Sequence, residues 1–314
     1  MIILVSVKKR NWKRILRIII TVIFVFCVVS FVATKIIYDS VFVRYDTPAQ
    51  VPASLSDMVQ QRRECQFASG ENRLTGYYYG EAAPENAHGL VVFAPGFCAG
   101  GDDYLWQIRA LLDYGWGVFT YDNTGTLRSE GENQIGFPQS VRDLEAALKY
   151  VENSGRFGYN ELVLVGHSRG AYAACCVLAQ TQNVKAVVSI SGVNSAMEAI
   201  MQLSCQYAGP ISYGNYGFLW LYQSMLFGSE TLDLQAADVI KQQDIPVLVI
   251  HGTLDTQIPA DSCAIIAYRD QFSPSQTEFL FCDGGHTDLL YDTDGTANDA
   301  LMAQIHAFLL RSMK

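Results

Sequence analysis

The first 38 residues contain no aspartate or glutamate, although the chain of 314 residues has 31 acidic side chains. The same segment holds seven of the 22 lysines and arginines: Lys8, Lys9, Arg10, Lys13, Arg14, Arg17 and Lys35. The rest of the chain therefore carries 15 basic and 31 acidic residues, a net charge of −16. Nucleic-acid binding needs a basic surface that contacts the phosphates. Because residues 39–314 are strongly acidic, we do not expect nucleic acid as a partner.

A long apolar run follows the cationic cluster. Residues 18–34 read IIITVIFVFCVVSFVAT without a charge, and the apolar character continues to Tyr38. This length is typical of a helix that crosses a hydrocarbon core. By the positive-inside rule, residues 1–17 form a cytoplasmic segment, residues 18–38 form a transmembrane anchor, and the chain after about residue 40 lies outside the cytoplasm.

Two other interpretations of the apolar run remain open. A cleaved signal peptide would release a secreted protein, but its cleavage site needs small residues at the −3 and −1 positions. Phe31, two places before Ala33, fits that pattern badly. A buried core helix is disfavoured by the cations that crowd one flank. The prediction is therefore a single-pass membrane protein with a retained anchor.

The chain also lacks any CxxC pair, and this absence argues against a zinc or dithiol redox site. Its eight cysteines include Cys27 in the apolar run, and the other seven are irregularly spaced: Cys65, Cys98, Cys175, Cys176, Cys205, Cys263 and Cys282. An odd number of cysteines outside the anchor does not predict a disulfide framework, and the pairing stays open. We expect small apolar packing residues and no metal site.

The remaining sequence predicts a linker over residues 39–63 and one domain over residues 64–314, which opens with a β-hairpin at 65–79. Apolar strand-like runs then alternate with helical patterns, which indicates a mainly parallel sheet covered by helices on both faces. The insert at about 193–244 delays the next strand and is rich in methionine and aromatic residues. It is either a helical excursion with its own core or, as we favour, a cap whose apolar side chains line an acyl or aromatic pocket.

The pentapeptide GHSRG indicates a nucleophile at Ser168. A strand, ELVLVG, precedes it and an alanine-rich helix follows, as a nucleophile held on a sharp strand-to-helix turn requires. Such a turn brings neighbouring backbones close, so that Gly166 and Gly170 must be nearly free of side chain. His167 lies inside this nucleophile turn, where we expect a structural role.

A serine hydroxyl needs an imidazole base and a carboxylate that orients it. The chain has only five histidines: His88, His167, His251, His286 and His306. His286, in DGGHTD after the last predicted strand, is the best base, and Asp255, in HGTLDTQIP, is the best orienting acid. The predicted catalytic residues are therefore Ser168, Asp255 and His286, in the chain order of α/β-hydrolases.

The oxyanion of the reaction needs two backbone N–H donors. We expect one from Arg169, directly after the nucleophile at a helix N-terminus, where the helix dipole also favours negative charge. The other is expected from Phe97, in the glycine-rich loop APGFCAGG. An ordinary glycine-rich connection before a helix is the alternative reading of that loop.

Taken together, these motifs resemble those of the α/β-hydrolase superfamily. PGF resembles the oxyanion-loop HGF of many members, and YDNTGTLRSEG resembles their DxRGxGxSxG segment, while GHSRG, GTLDTQIP and GGHTDLL complete the set. The resemblance runs from about Thr75 to the C-terminus and implies the α/β-hydrolase fold, a Ser-Asp-His triad and hydrolysis through an acyl-enzyme without cofactor or metal. Pro95, Thr124 and Leu127 depart from the family patterns, so the shape of the pocket rim is not predicted.

Three functions follow as hypotheses. The first is a membrane-tethered serine hydrolase that cleaves a small-molecule carboxylic ester with an apolar acyl or aryl group. The second is a serine peptidase of the aminopeptidase-like type, which would need an acidic patch for a free amino terminus. The third is a non-catalytic surface binding protein on the same fold. The sequence predicts neither the acyl length nor the oligomeric state.

Overall fold

The computed structural model describes residues 12–80, 87–155, 157–159, 161–181, 183–274 and 276–313. Most of the predicted cytoplasmic segment, residues 1–11, lies outside the described residues. The described strands are β1 Arg63–Ser69, β2 Asn72–Tyr79, β3 Leu90–Ala94, β4 Gly117–Tyr121, β5 Leu162–His167, β6 Ala186–Ile190, β7 Val247–Gly252 and β8 Thr277–Cys282. The described helices are α1 Trp12–Val41, α2 Ser56–Gln61, α3 Leu105–Asp113, α4 Phe137–Asn153, α5 Arg169–Cys176, α6 Ala196–Ala208, α7 Tyr216–Phe227, α8 Ser229–Leu232, α9 Ala236–Lys241 and α10 Asp299–Ser312.

Within these residues the eight strands form one sheet in the order β1-β2-β4-β3-β5-β6-β7-β8. Strand β2 runs antiparallel to both its neighbours, and every other pair in the sheet is parallel. Strands β1 and β2 form the predicted hairpin, with Ser69 opposite Asn72 at its turn. The carboxyl ends of β3, β5, β7 and β8 therefore lie at one edge, where loops can bring distant residues together.

Both faces of the sheet are covered, as the continuous apolar strands predict. Along β3, Val91 and Phe93 pack with α3 and α10, whereas Leu90 and Val92 pack with α4 and α5 on the other face. This alternation follows from the two-residue period of a strand.

The N-terminal helix α1 has 30 residues, so it is about 45 Å long at the usual rise per residue. It is long and apolar enough to cross a membrane, and it exposes large apolar side chains such as Phe24 and Phe26. Its last turns instead pack against the insert. Thr34 and Tyr38 are buried, and the Nδ2 of Asn215 donates to the Thr34 Oγ1 at 2.8 Å.

Residues immediately after this helix also contact the domain. Phe42 is 1% exposed and belongs to the core that covers one face of the sheet. The guanidinium of Arg44 donates to the carbonyls of Ser129 and Gly131, both at 2.9 Å. The beginning of the 39–63 segment is therefore packed on the domain rather than extended away from it.

The 193–244 insert consists mainly of helices α6 to α9, between β6 and β7. Its aromatic residues do not surround the predicted nucleophile. Tyr222 packs edge-on against Phe31 and Tyr38 of α1, and the ring of Phe227 lies near the guanidinium of Arg142 on α4. Tyr207 is largely exposed. The insert thus joins α1 to the domain, and its helix α6 alone reaches the candidate site.

All eight cysteines are within the described residues and are free thiols. Cys175, Cys176 and Cys263 are buried among apolar side chains, as expected of small packing residues. Burial raises the pKa of the Cys263 thiol to about 11, which keeps that group protonated and unreactive.

Candidate active site

Ser168 lies on a sharp turn between β5 and α5 with φ 56° and ψ −120°, a backbone conformation that non-glycine residues rarely adopt. The close approach of neighbouring backbones explains the flanking glycines. A Cβ on Gly166 would lie 2.3 Å from the Gly170 carbonyl oxygen, and one on Gly170 would lie 2.0 Å from that of Ala94. Only glycine fits at either position, so the sequence pattern follows from the shape of the turn.

The structure brings the three predicted catalytic side chains together. The Nε2 of His286 is 2.8 Å from the Oγ of Ser168, and its Nδ1 is 2.8 Å from the Oδ2 of Asp255. All three residues are at least 90% buried. With Nδ1–H donating to the carboxylate, Nε2 accepts from the serine hydroxyl, and this is the tautomer that a general base needs.

The Asp255 carboxylate is held in its ionised form. Burial alone would raise its pKa, but hydrogen bonding and charge from His286, the Ile258 amide and the nearby His251 together hold that pKa below its usual value. The Oδ1 accepts from the backbone N–H of Gln257 at 3.0 Å and of Ile258 at 2.9 Å. This carboxylate can therefore orient His286 and stabilise an imidazolium.

His167 connects two parts of the site. Its Nε2 donates to the backbone carbonyl of His286 at 2.9 Å, and its Nδ1 accepts from the hydroxyl of Tyr104 at 2.9 Å. The same hydroxyl accepts from the Gly96 amide at 3.0 Å. Burial lowers the pKa of His167 to about 4, so its ring is neutral near neutral pH. The ring therefore ties the base to the loop that carries Phe97.

The two predicted oxyanion donors lie on adjacent elements. Phe97 follows β3, and Arg169 is the first residue of α5, where backbone amides have no acceptor within the helix. The Arg169 guanidinium is fully buried, lies 5.5 Å from the centre of the Phe97 ring, and reaches the Gly96 carbonyl at 3.5 Å. Burial lowers the pKa of this guanidinium. The side chain of Arg169 thus supports the loop whose amide we expect to bind the oxyanion.

A cavity of about 380 Å³ opens above Ser168. Its walls come from the Phe97 loop, from Leu203 and its neighbours on α6, and from Val41 and Phe42 at the end of α1. No cluster of three or more metal-ligating side chains occurs among the described residues. The site places a serine hydroxyl, an imidazole and apolar side chains around one cavity.

Parts of this chain are similar to known proteins and to one family model. A family model described as alpha/beta hydrolase fold matches residues 89–206. Uncharacterized protein YfhR of Salmonella typhi is 29% identical over 212 residues, 65% of this chain and 66% of that protein. Proline iminopeptidase of Saccharolobus solfataricus is 28% identical over 140 residues, 43% of this chain and only 44% of that protein.

Among solved structures, the Pyrococcus furiosus esterase Pf2001 superposes with a TM-score of 0.64 at 16% identity, covering 87% of this chain and 100% of that one. The chain has the α/β-hydrolase fold. The fold predicted from the sequence motifs is therefore confirmed, together with the mainly parallel sheet, its flanking helices and a long apolar N-terminal helix.

In this α/β-hydrolase fold the strands explain why residues far apart in sequence meet. Ser168 follows β5, Asp255 follows β7 and His286 follows β8, all at the carboxyl edge of parallel strands. Phe97 follows β3 at the same edge. Each predicted site residue therefore sits where its strand ends, which is the position that its motif indicates.

Sequence reasoning missed two features of this site. It assigned no role to Tyr104, because a tyrosine at the start of a helix carries no signal of a hydrogen bond to a distant histidine. It also separated α1 from the site, although Val41 and Phe42 line the cavity. Tyr38 and Phe42 are four residues apart, and such a pair at the end of an exposed helix could have indicated a docked face.

Proposed function

We propose that this protein is a serine hydrolase that cleaves carboxylic esters with apolar acyl or aryl groups through an acyl-enzyme. The observation that supports it most is the chain of two 2.8 Å contacts from Ser168 through His286 to Asp255. The positive φ of Ser168 supports it as well, because a strained turn of this kind aims the hydroxyl at the cavity.

In the proposed reaction Ser168 attacks the ester carbonyl while the Nε2 of His286 takes the hydroxyl proton. The oxyanion accepts hydrogen bonds from the amides of Phe97 and Arg169, and Asp255 stabilises the imidazolium. The ester C–O bond then breaks, and His286 gives its proton to the leaving alcohol. Water, activated by the same imidazole, hydrolyses the acyl-enzyme and restores Ser168.

A serine aminopeptidase is the second candidate, favoured by the partial similarity to a proline iminopeptidase. Such an enzyme must hold a free amino terminus, for which a carboxylate is the natural partner. Among the described residues that line the cavity, Asp103 alone is acidic, and its Oδ2 accepts from the Gly100 amide at 2.7 Å. Burial also raises the pKa of Asp103. These observations favour the ester.

The domain plan belongs to the same proposal. Residues 18–38 would be a retained anchor, residues 39–63 a connection, and residues 64–314 the hydrolase domain with its cap at about 193–244. Burial of Tyr38 and Phe42 supports retention of the anchor. Cleavage within the preceding apolar run would remove most of α1, the helix that leads into these two buried residues. With residues 1–17 in the cytoplasm, the domain would lie outside it.

The proposal is tested by turnover of p-nitrophenyl butyrate by the full-length protein. Ser168→Ala should abolish turnover and fluorophosphonate labelling, whereas Ser229→Ala, an exposed serine of the cap, should leave both unchanged. Turnover of proline p-nitroanilide in preference to the ester would favour the peptidase. Turnover of neither substrate by the wild type would favour a binding protein instead.

A further inference from the structure

A second cavity lies next to the one above Ser168. It has a volume of about 550 Å³ and lies between α1 and the cap, mainly against α6. Val41, Phe42 and Leu203 line both cavities, so these side chains form a boundary that the two spaces share. We call the second cavity the α1–cap groove.

One face of α1 forms a wall of this groove. The face consists of residues at the spacing of adjacent helical turns, Ser30, Ala33, Thr34, Ile37, Tyr38 and Val41, and Phe42 extends the wall directly after the helix. From Ser30 to Val41 the helix rises about 17 Å. One end of the groove is therefore in the uncharged run 18–34, and the other end is beside Phe97, whose ring lies 5.3 Å from that of Phe42.

The opposite wall comes from the cap and is mainly apolar, with Ile200, Met201 and Leu219 buried along it. No charged side chain lines the groove among the described residues. Two of its polar side chains, Thr34 and Asn215, hydrogen-bond to each other and so are already satisfied. Such a surface suits a hydrocarbon chain, which gains free energy from apolar burial and needs no hydrogen bonds.

We propose that the α1–cap groove takes the acyl chain of a lipid ester directly from the bilayer and leads its carbonyl to Ser168. This inference rests on the proposed function, since it needs both the serine hydrolase chemistry and the membrane anchor. A neighbouring transmembrane helix fits less well, because a helix about 10 Å across cannot continue into the cavity at Ser168. In this proposal an acyl chain runs from the groove past the shared side chains of Val41, Phe42 and Leu203 to Ser168.

The reaction is that of the proposed function with a defined substrate. The Oγ of Ser168 forms a bond to the acyl carbon, and the resulting oxyanion collapses as the ester C–O bond breaks. The serine proton reaches the departing glycerol oxygen through His286. Water then cleaves the acyl-enzyme, and the fatty acid leaves with its tail still in the groove. The groove thus determines the substrate class by the length of chain that it accommodates.

The test uses the full-length protein in phosphatidylcholine vesicles and compares kcat/KM for p-nitrophenyl palmitate, p-nitrophenyl butyrate and monopalmitoylglycerol. Ala33→Trp and Ala208→Trp each place a large ring in the groove from an exposed position. Val32→Trp is the matched control, because Val32 lies on the opposite face of α1 and is 48% exposed.

The wild type and Val32→Trp should have the same ratio of kcat/KM for palmitate to kcat/KM for butyrate. Ala33→Trp and Ala208→Trp should each lower that ratio about tenfold, because contacts between an acyl chain and an apolar pocket discriminate at this scale. Turnover of monopalmitoylglycerol should fall in parallel with palmitate. An unchanged palmitate-to-butyrate ratio in the groove variants would overturn the proposal. If these variants kept the ratio but changed the oligomeric state, the groove would instead bind a neighbouring transmembrane helix. Failure of the wild type to cleave even butyrate would instead overturn the proposed function.

Discussion

The ring of His167 donates from its Nε2 to the backbone carbonyl of His286 at 2.9 Å, so the residue before Ser168 holds the backbone of His286. The other ring nitrogen accepts from Tyr104, whose hydroxyl also accepts from the Gly96 amide. One buried side chain therefore connects the backbone of His286 with the Phe97 loop, the two parts that we propose act on the same carbonyl.

His167→Phe should lower kcat about tenfold with little change in KM, because the loss of a buried hydrogen bond costs about 1–3 kcal/mol. The variant keeps an aromatic ring in the turn and removes only the polar contacts. Tyr104→Phe, which breaks the link to Gly96 but leaves the bond to His286, should have a smaller effect. Steady-state kinetics with p-nitrophenyl butyrate measure both. Equal kcat values in the wild type and His167→Phe would contradict this positioning role.

The same histidine should make stability depend on pH. Its pKa is lowered to about 4 in the folded protein by burial, against about 6.5 when unfolded. Between these values the unfolded chain binds a proton that the folded chain does not, so stability is fully present above pH 6.5 and is lost as pH falls toward 4. His167→Gln should reduce the slope in this window by about one proton, as measured by denaturant unfolding at several pH values. If the free energy of unfolding of the wild type and of His167→Gln had the same pH dependence, the ring of His167 would not be a neutral buried group.

Arg169 should show opposite effects on stability and activity. Its buried Nε has no hydrogen-bond partner among the described residues, so the long contact with Gly96 offsets only part of the cost of burying the cation. Arg169→Met should therefore raise Tm, while kcat falls about tenfold because the Phe97 loop loses its support. Arg109→Met, at a half-exposed arginine paired with Asp113, should change neither quantity. A lower Tm together with an unchanged kcat would contradict this account of Arg169.

The docking of α1 gives a further prediction. Phe42 is 1% exposed, packs against Phe97 and Phe137, and lines the cavity above Ser168. Phe42→Ala should lower the free energy of unfolding by about 3–5 kcal/mol, as expected for a buried phenylalanine. Val43→Ala, at a residue 55% exposed, is the neighbouring control. Urea unfolding in detergent measures both, and equal midpoints would show that the end of α1 does not belong to the core.

Local sequence signals were sufficient for most of the fold. The apolar runs before Pro95 and before the GHSRG turn predicted β3 and β5, because a buried parallel strand is apolar on both faces. The glycines beside Ser168 predicted the turn for a steric reason that the 2.0 Å approach at Gly170 shows directly. These predictions succeeded because cause and signal lie within a few residues of each other.

Features that depend on distant packing could not be predicted in this way. The sequence between Asp39 and Arg63 looks like a connection, yet Phe42 and Arg44 are held by groups from remote segments. The insert's aromatic residues suggested a substrate pocket, whereas Tyr222 packs on α1. A single sequence shows that a side chain is apolar but not which distant surface will bury it.

The most direct test of the central claim is to find which residue becomes covalently modified. The full-length protein would be treated with a fluorophosphonate, digested and analysed by mass spectrometry. The account predicts one phosphonylated residue, Ser168, with modification and ester turnover lost together in His286→Ala. Phosphonylation of a different residue, or full ester turnover after complete modification of Ser168, would contradict it.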